Sequence, residues 1–233
     1  MKQTTIALML ATSMFVSACW ETKAKTVVVL IDATMSVDPA EYLRCRDEIN
    51  RLVTRLDRGD RLVLVPITGE PEELLGHRMV HIDMPSERVP YDSNLKKAKE
   101  QAVRQVEQFL TTLPNIQAKY TDILGAMRAT QDALGESADL IILSDMVIDT
   151  PELHFPTAPE LANTRSAELL AEKLATKQQL KGVNVKVGIL RSFDLERMSS
   201  ARRDGVQAFW RRYFAVSGAT KVQITVDLQT LSE

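Results

Sequence analysis

A doubly wound α/β domain, with a mostly parallel sheet, one antiparallel edge strand and helices on both faces, is predicted by three features of this 233-residue chain. Short, β-branched apolar runs recur between longer segments of helical spacing, as in strand–helix–strand units. The runs are apolar at nearly every position rather than alternately, which marks strands buried on both faces. Polar clusters directly follow the first and fourth runs, where sheets of this kind bind ligands.

Val27 to Ile31 is the first such run. Asp38-Pro39 then reads as an N-cap followed by Pro at the first helical position, opening a helix to about Leu56. Gly59 closes it, and Arg61 to Ile67 is the second strand. After a loop over Thr68 to His77, Arg78 to Asp83 is a third strand, near enough to the second to pair antiparallel. Asp92 to Leu113 has helical spacing and Pro114 is expected to stop it. Thr121 to Leu134 reads as helix and Asp139 to Leu143 as a buried strand. A proline-rich loop over Pro151 to Pro159 leads to a helix over Glu160 to Leu180 and a strand over Val183 to Leu190. A helix over Leu195 to Val216, ended by Gly218, and a strand over Lys221 to Asp227 complete the pattern.

Hydrophobic residues at 45% and charged residues at 26% are values of a folded domain, not a disordered one. A net charge of −2 gives no electrostatic case for nucleic acid. The amino terminus has its own logic: Lys2 precedes an apolar stretch from Ile6 to Val16, then Ser17, Ala18 and Cys19. That is the layout of a secretory signal, too short to span a bilayer as a finished helix. Val16-Ser17-Ala18-Cys19 resembles a bacterial lipobox, which implies cleavage before Cys19 and acylation (palmitate included) of that residue. The expected division is a signal peptide over 1–18, a lipidated tether over 19–25 and one domain over 26–233. The lipid implies a membrane partner and a place in the bacterial cell envelope. Trp20 after the cysteine, in place of Asp, favours an outer membrane, facing the periplasm or the surface, in a Gram-negative host. The other cysteine, Cys45, shares a helical face with Tyr42, Ile49 and Leu52 and reads as a small buried hydrophobe.

After the first strand stand Asp32, Thr34 and Ser36; after the fourth, Ser144 and Asp145; between them Thr121-Asp122 opens a helix. Carboxylate and hydroxyl donors suit a hard cation such as Mg²⁺, and the absence of His and Cys argues against zinc. This pattern resembles the von Willebrand factor type A family and its metal-ion-dependent adhesion site. Asp32, Thr34 and Ser36 match that site's Asp-x-Ser-x-Ser element with Thr in place of one Ser; Thr121 and Asp145 match its later Thr and Asp. The resemblance implies that these five side chains hold Mg²⁺ (or Mn²⁺ or Ca²⁺), and that a protein partner supplies a Glu or Asp to the metal, with no catalysis. Met146 departs from the family's usual Gly, and is strained if that turn takes positive φ.

Two loops are expected to face the partner, one carrying Glu70, Glu72 and Glu73, the other His154 and Phe155. A Mg-dependent hydrolase of the haloacid-dehalogenase type would use Asp32 as nucleophile, with Asp145 and Asp149 on the metal. Thr34 stands where that chemistry needs a second Asp. A metal-free structural domain of the same fold is the other alternative. Arg58-Gly59-Asp60 spells an integrin-binding tripeptide but is better explained as a helix stop, and the aromatic cluster from Phe209 to Phe214 as packing on the sheet.

Overall fold

The computed structural model describes residues 24–70, 75–87, 93–116, 118–135 and 137–232. Cys19, Glu72 and Glu73 lie outside the described residues.

Six strands form one sheet: β1 (Thr26–Asp32), β2 (Arg61–Ile67), β3 (Val80–Asp83), β4 (Ala138–Ser144), β5 (Asn184–Ile189) and β6 (Lys221–Thr225). Their order is β3-β2-β1-β4-β5-β6. All neighbours are parallel except β2 and β3, which pair antiparallel with Leu62 opposite Ile82. The expected class is therefore the observed one. The order reverses between β1 and β4, so the loops beyond Asp32 and Ser144 diverge and leave a crevice.

The helices are α1 (Glu41–Arg55), α2 (Ser93–Ile116), α3 (Ile123–Ala129), α4 (Thr164–Leu174), α5 (Phe193–Arg197) and α6 (Ser200–Val216). One core, with Val29, Ile31, Leu64 and Leu143 from the sheet, packs under α1 and α2. The other, with Val28, Leu30, Ile142 and Val187, packs under α3, α4 and α6. Cys45 is fully buried in the first core, and burial pushes its thiol up to about 12. Phe209, Trp210, Tyr213 and Phe214 are buried in the second, with neighbouring ring centroids 5.1 to 6.0 Å apart.

Several boundaries differ from the periodicity. The helix expected over Leu195 to Val216 is two helices: Ser192 accepts from the Leu195 amide to start α5, and Ser199 accepts from the Arg202 amide to start α6. Likewise Asn163 caps α4, leaving Pro159–Ala162 as a separate 3₁₀ turn. Conversely α2 runs past Pro114 to Ile116; the loss of one donor in a last turn is tolerated while Leu110 and Leu113 stay buried. The integrin-like tripeptide is a turn, with Gly59 at φ 77° and Asp60 accepting from the Lys25 and Asp57 amides.

Candidate metal-ion site

The rim of the sheet is polar where β1 and β4 end. Asp32 is fully buried, and each of its oxygens is bonded. Oδ1 accepts from the Thr34 amide at 3.1 Å and the Thr34 hydroxyl at 2.6 Å. Oδ2 accepts from Ser144 Oγ at 2.6 Å. The Ser36 hydroxyl lies 3.1 Å from that of Thr34. Asp32, Thr34 and Ser36 of the tight loop and Ser144 at the end of the neighbouring strand thus form a single hydrogen-bonded unit.

Asp145 joins it electrostatically. Burial pushes its carboxyl up to about 7, with the charge of Asp32 as the next cause, opposed in part by the nearby Ser192 hydroxyl and the Val147 amide. Val147 N donates to Oδ1 at 2.8 Å, while Oδ2 is buried with no hydrogen-bond partner. Burial also raises Asp32, against the lowering effect of its bonds to Ser144 and Thr34. Asp194, on α5, raises both. Among the described residues, no Lys, Arg or His forms an ion pair with Asp32 or Asp145.

Thr121 stands slightly apart. Its backbone pairs with Asp149, N to O at 2.8 Å and O from N at 3.1 Å, so it is extended and outside α3. Asp122 caps that helix by accepting from the Gly125 amide at 2.7 Å. Ala118, in the same segment, is bridged to Thr34, which brings this loop alongside the Asp32 loop. No hydrogen bond joins Thr121 to Asp32, Thr34, Ser36 or Asp145.

Met146 does take the left-handed conformation, at φ 64°. Three interactions hold it there: its amide donates to Ser144 Oγ at 3.0 Å, its carbonyl accepts from Trp210 Nε1 at 2.7 Å, and its side chain is buried. A third loop closes the site from β5. Asp38 N donates to Arg191 O and Phe193 N to Ser36 O, both at 3.1 Å, and Arg191 Nε meets the buried Glu41 carboxylate at 2.9 Å.

The partner-facing loops are only partly available. Glu70 accepts from Arg78 Nε and Nη2, one on each carboxylate oxygen, both at 2.7 Å. His154 is half exposed, its Nδ1 2.7 Å from Asp149. Phe155 corrects the expectation: it is 0% exposed, packed edge-on against Phe209 at 5.0 Å, and so belongs to the core rather than to a binding surface. Its position after exposed His154 in a proline-rich loop hid this, because the aromatic partners lie on a distant helix. Ser144, expected only as one oxygen donor beside Asp145, instead donates to Asp32, while Ser192 and Asp194 carry no local signal in the sequence.

The donor set fits a hard divalent cation. Two buried carboxylates lie close enough for the charge of Asp32 to raise Asp145, one oxygen is orphaned, and hydroxyls stand beside them without a balancing positive side chain. Among the described residues no three His, Cys, Asp or Glu side chains converge, so hydroxyls would have to complete any such sphere.

No protein-family profile matches the chain, and no curated protein matches it either. Solved structures similar to it include a serine-substituted aerotolerance-related membrane protein from Bacteroides fragilis, at 12% identity and a TM-score of 0.45, covering 90% of this chain and 94% of that one. The manganese-loaded TRAP protein from Plasmodium vivax is similar at 13% identity and a TM-score of 0.45, covering 90% and 71%. A von Willebrand factor type A protein from Catenulispora acidiphila is similar at 13% identity and a TM-score of 0.31, covering 80% and 43%.

Proposed function

We propose that this protein is a lipid-anchored, von Willebrand factor type A-like module of the bacterial envelope that binds a protein partner through a divalent cation, without catalysis. The observation that carries this reading is the pairing of Asp32 and Asp145 at the switch point of the sheet, with Thr34 and Ser36 hydroxyls beside them and Asp145 Oδ2 unpartnered. Asp32, Thr34, Ser36, Thr121 and Asp145 would hold the ion, directly or through water. Bound there, the ion supplies positive charge that neutral hydroxyls only partly satisfy, so an incoming Glu or Asp gains a strong bond. The chain's own part is to hold the carboxylates in place before the ion arrives. Cys19 would carry the lipid.

Calorimetric titration of the protein with Mg²⁺ and Mn²⁺, beside Asp32→Ala, tests the site; saturable binding lost in the variant is expected. Capture of envelope partners with and without chelator then tests the partner. One observation favours a metal-free structural domain instead: both oxygens of Asp32 already have hydroxyl donors at 2.6 Å. Absence of titration heat with either ion would decide for it.

A further inference from the structure

The two ends of the sheet differ in charge. At the amino ends of the strands, Lys25 precedes β1, Lys177 and Lys181 stand in the turn before β5, and Lys221 opens β6; all four are exposed. These places are contiguous, since Lys181 is bridged to Ala219 and β4, β5 and β6 are neighbours. Of the acidic residues at this end, Asp139 is largely buried and engaged by Lys25 at 2.7 Å, Asp60 accepts from the Lys25 amide at 2.8 Å, and Asp57 and Asp83 lie towards β2 and β3, Asp83 paired with Arg61 at 2.6 Å. Lys177, Lys181 and Lys221 form no ion pair with a described residue. Lys186, half-buried behind them, is shifted down by burial first, with Asp139 opposing that shift and Lys25 and Lys221 adding to it. At the opposite rim, Asp194 raises both buried carboxylates of the candidate site, and Asp38, Asp149 and Glu152 stand on the loops beyond β1 and β4, with Arg191, Arg197 and Arg202 among them.

We propose that this lysine-bearing base rests on anionic phospholipid headgroups, so that the rim with Asp32 and Asp145 faces away from the membrane. The inference rests on the lipid-anchor reading of Cys19 above and adds the orientation and the lipid class. Tether length agrees with it. Six Cα steps from Cys19 to Lys25 reach at most about 20–22 Å, and the seven residues of β1 alone span about 23 Å. An inverted domain would hold the base one sheet-length plus the rim loops above the bilayer, beyond a taut tether. Charge then selects the upright pose over one lying on its side. Each lysine within a Debye length of an anionic surface strengthens the attraction roughly fivefold, and the rim carboxylates are repelled by the same surface.

The test uses the full lipidated chain, purified from membranes and reconstituted in vesicles of phosphatidylethanolamine with either phosphatidylglycerol or phosphatidylcholine. A fluorophore is placed at the base through Thr220→Cys or at the rim through Glu152→Cys, Cys45 being buried, and quenching by a headgroup acceptor is read. On phosphatidylglycerol vesicles the base label is expected to quench several-fold more than the rim label. That ratio should shrink on the neutral vesicles, in high salt, and in the Lys177→Glu, Lys181→Glu, Lys221→Glu variant, whose folding is checked by circular dichroism. A ratio indifferent to headgroup charge and to the three substitutions overturns the proposal while leaving the anchor intact. A chain that fails to float with either vesicle overturns the anchor reading, and this orientation with it.

Discussion

Ser144 Oγ donates to Asp32 Oδ2 at 2.6 Å while accepting from the amide of Met146 at 3.0 Å, so one fully buried hydroxyl fixes both the carboxylate at the end of β1 and the turn at the end of β4. Ser144→Ala leaves both partners buried and unsatisfied. A hydrogen bond to a charged group contributes about 1.5–3 kcal/mol, and an orphaned amide costs about 1–3 kcal/mol. A loss of ~3 kcal/mol in urea unfolding is therefore expected, with Mg²⁺ affinity lowered about 10-fold or more, as for other groups that orient a ligand. Unchanged affinity in a folded Ser144→Ala variant would show that Asp32 needs no such support.

The raised carboxyl of Asp145 makes stability depend on pH. Its ordinary value is 3.8 and burial beside Asp32 takes it to about 7. Between these values the folded chain keeps a proton that the unfolded chain has lost. In chelator, this contribution is fully present below pH ~4 and disappears as pH rises through ~7, with a slope of at most about 1.4 kcal/mol per pH unit for one proton. A divalent cation bound as proposed would replace that proton. Denaturation from pH 4 to 8 is expected to show a falling limb in chelator, a flatter one in saturating Mg²⁺ and a flatter one in Asp145→Asn. Identical limbs with and without Mg²⁺ would remove the cation from the account.

Much of this was legible in the chain because strands buried on both faces leave no polar position to disguise them. The second strand, Arg61 to Ile67, coincides with its expected bounds, and the first extends the apolar run Val27 to Ile31 by one residue at each end. Asp32, Thr34 and Ser36 could be grouped because a tight loop puts alternate residues on one side, and the hydroxyl contact at 3.1 Å is the result. Distant pairings were not legible. Nothing near Phe155 announces Phe209, and nothing near Thr121 announces the Asp149 backbone that keeps it out of α3. Helical period also continued through Met198 and Ser199, because a capped break shifts the apolar face little while changing the backbone wholly.

Arg191 and Glu41 couple the Asp32 loop to the loop that carries Ser192. The guanidinium is 66% exposed, while Glu41 is fully buried and keeps Arg44 at 2.6 Å. Arg191→Ala should accordingly leave the melting temperature close to that of the parent. Its effect is expected on the site instead: looser register between Ser36 and Phe193, and Mg²⁺ affinity reduced by less than the ~10-fold that direct supporting groups cause. Arg191→Lys should restore part of it. A large drop in melting temperature with unchanged affinity would make the pair a structural tie only.

Met146→Gly sets two effects against each other. Glycine relieves the left-handed backbone at φ 64°, a gain of about 1–2 kcal/mol. It also removes a side chain that is 2% exposed in the core that includes Trp210, where deleting a buried Met costs about 2–5 kcal/mol, and it adds about 0.5–1 kcal/mol of chain entropy. Packing wins, so Met146→Gly should unfold at lower urea by the equivalent of ~2 kcal/mol. The Trp210 bond to the Met146 carbonyl can survive the change, since it uses backbone alone. The turn should then keep its shape, and Mg²⁺ affinity should stay within a factor of ~3 of the parent. A variant more stable than the parent would mean that the strain outweighs the packing, and that methionine is held at this turn for the site rather than for the core.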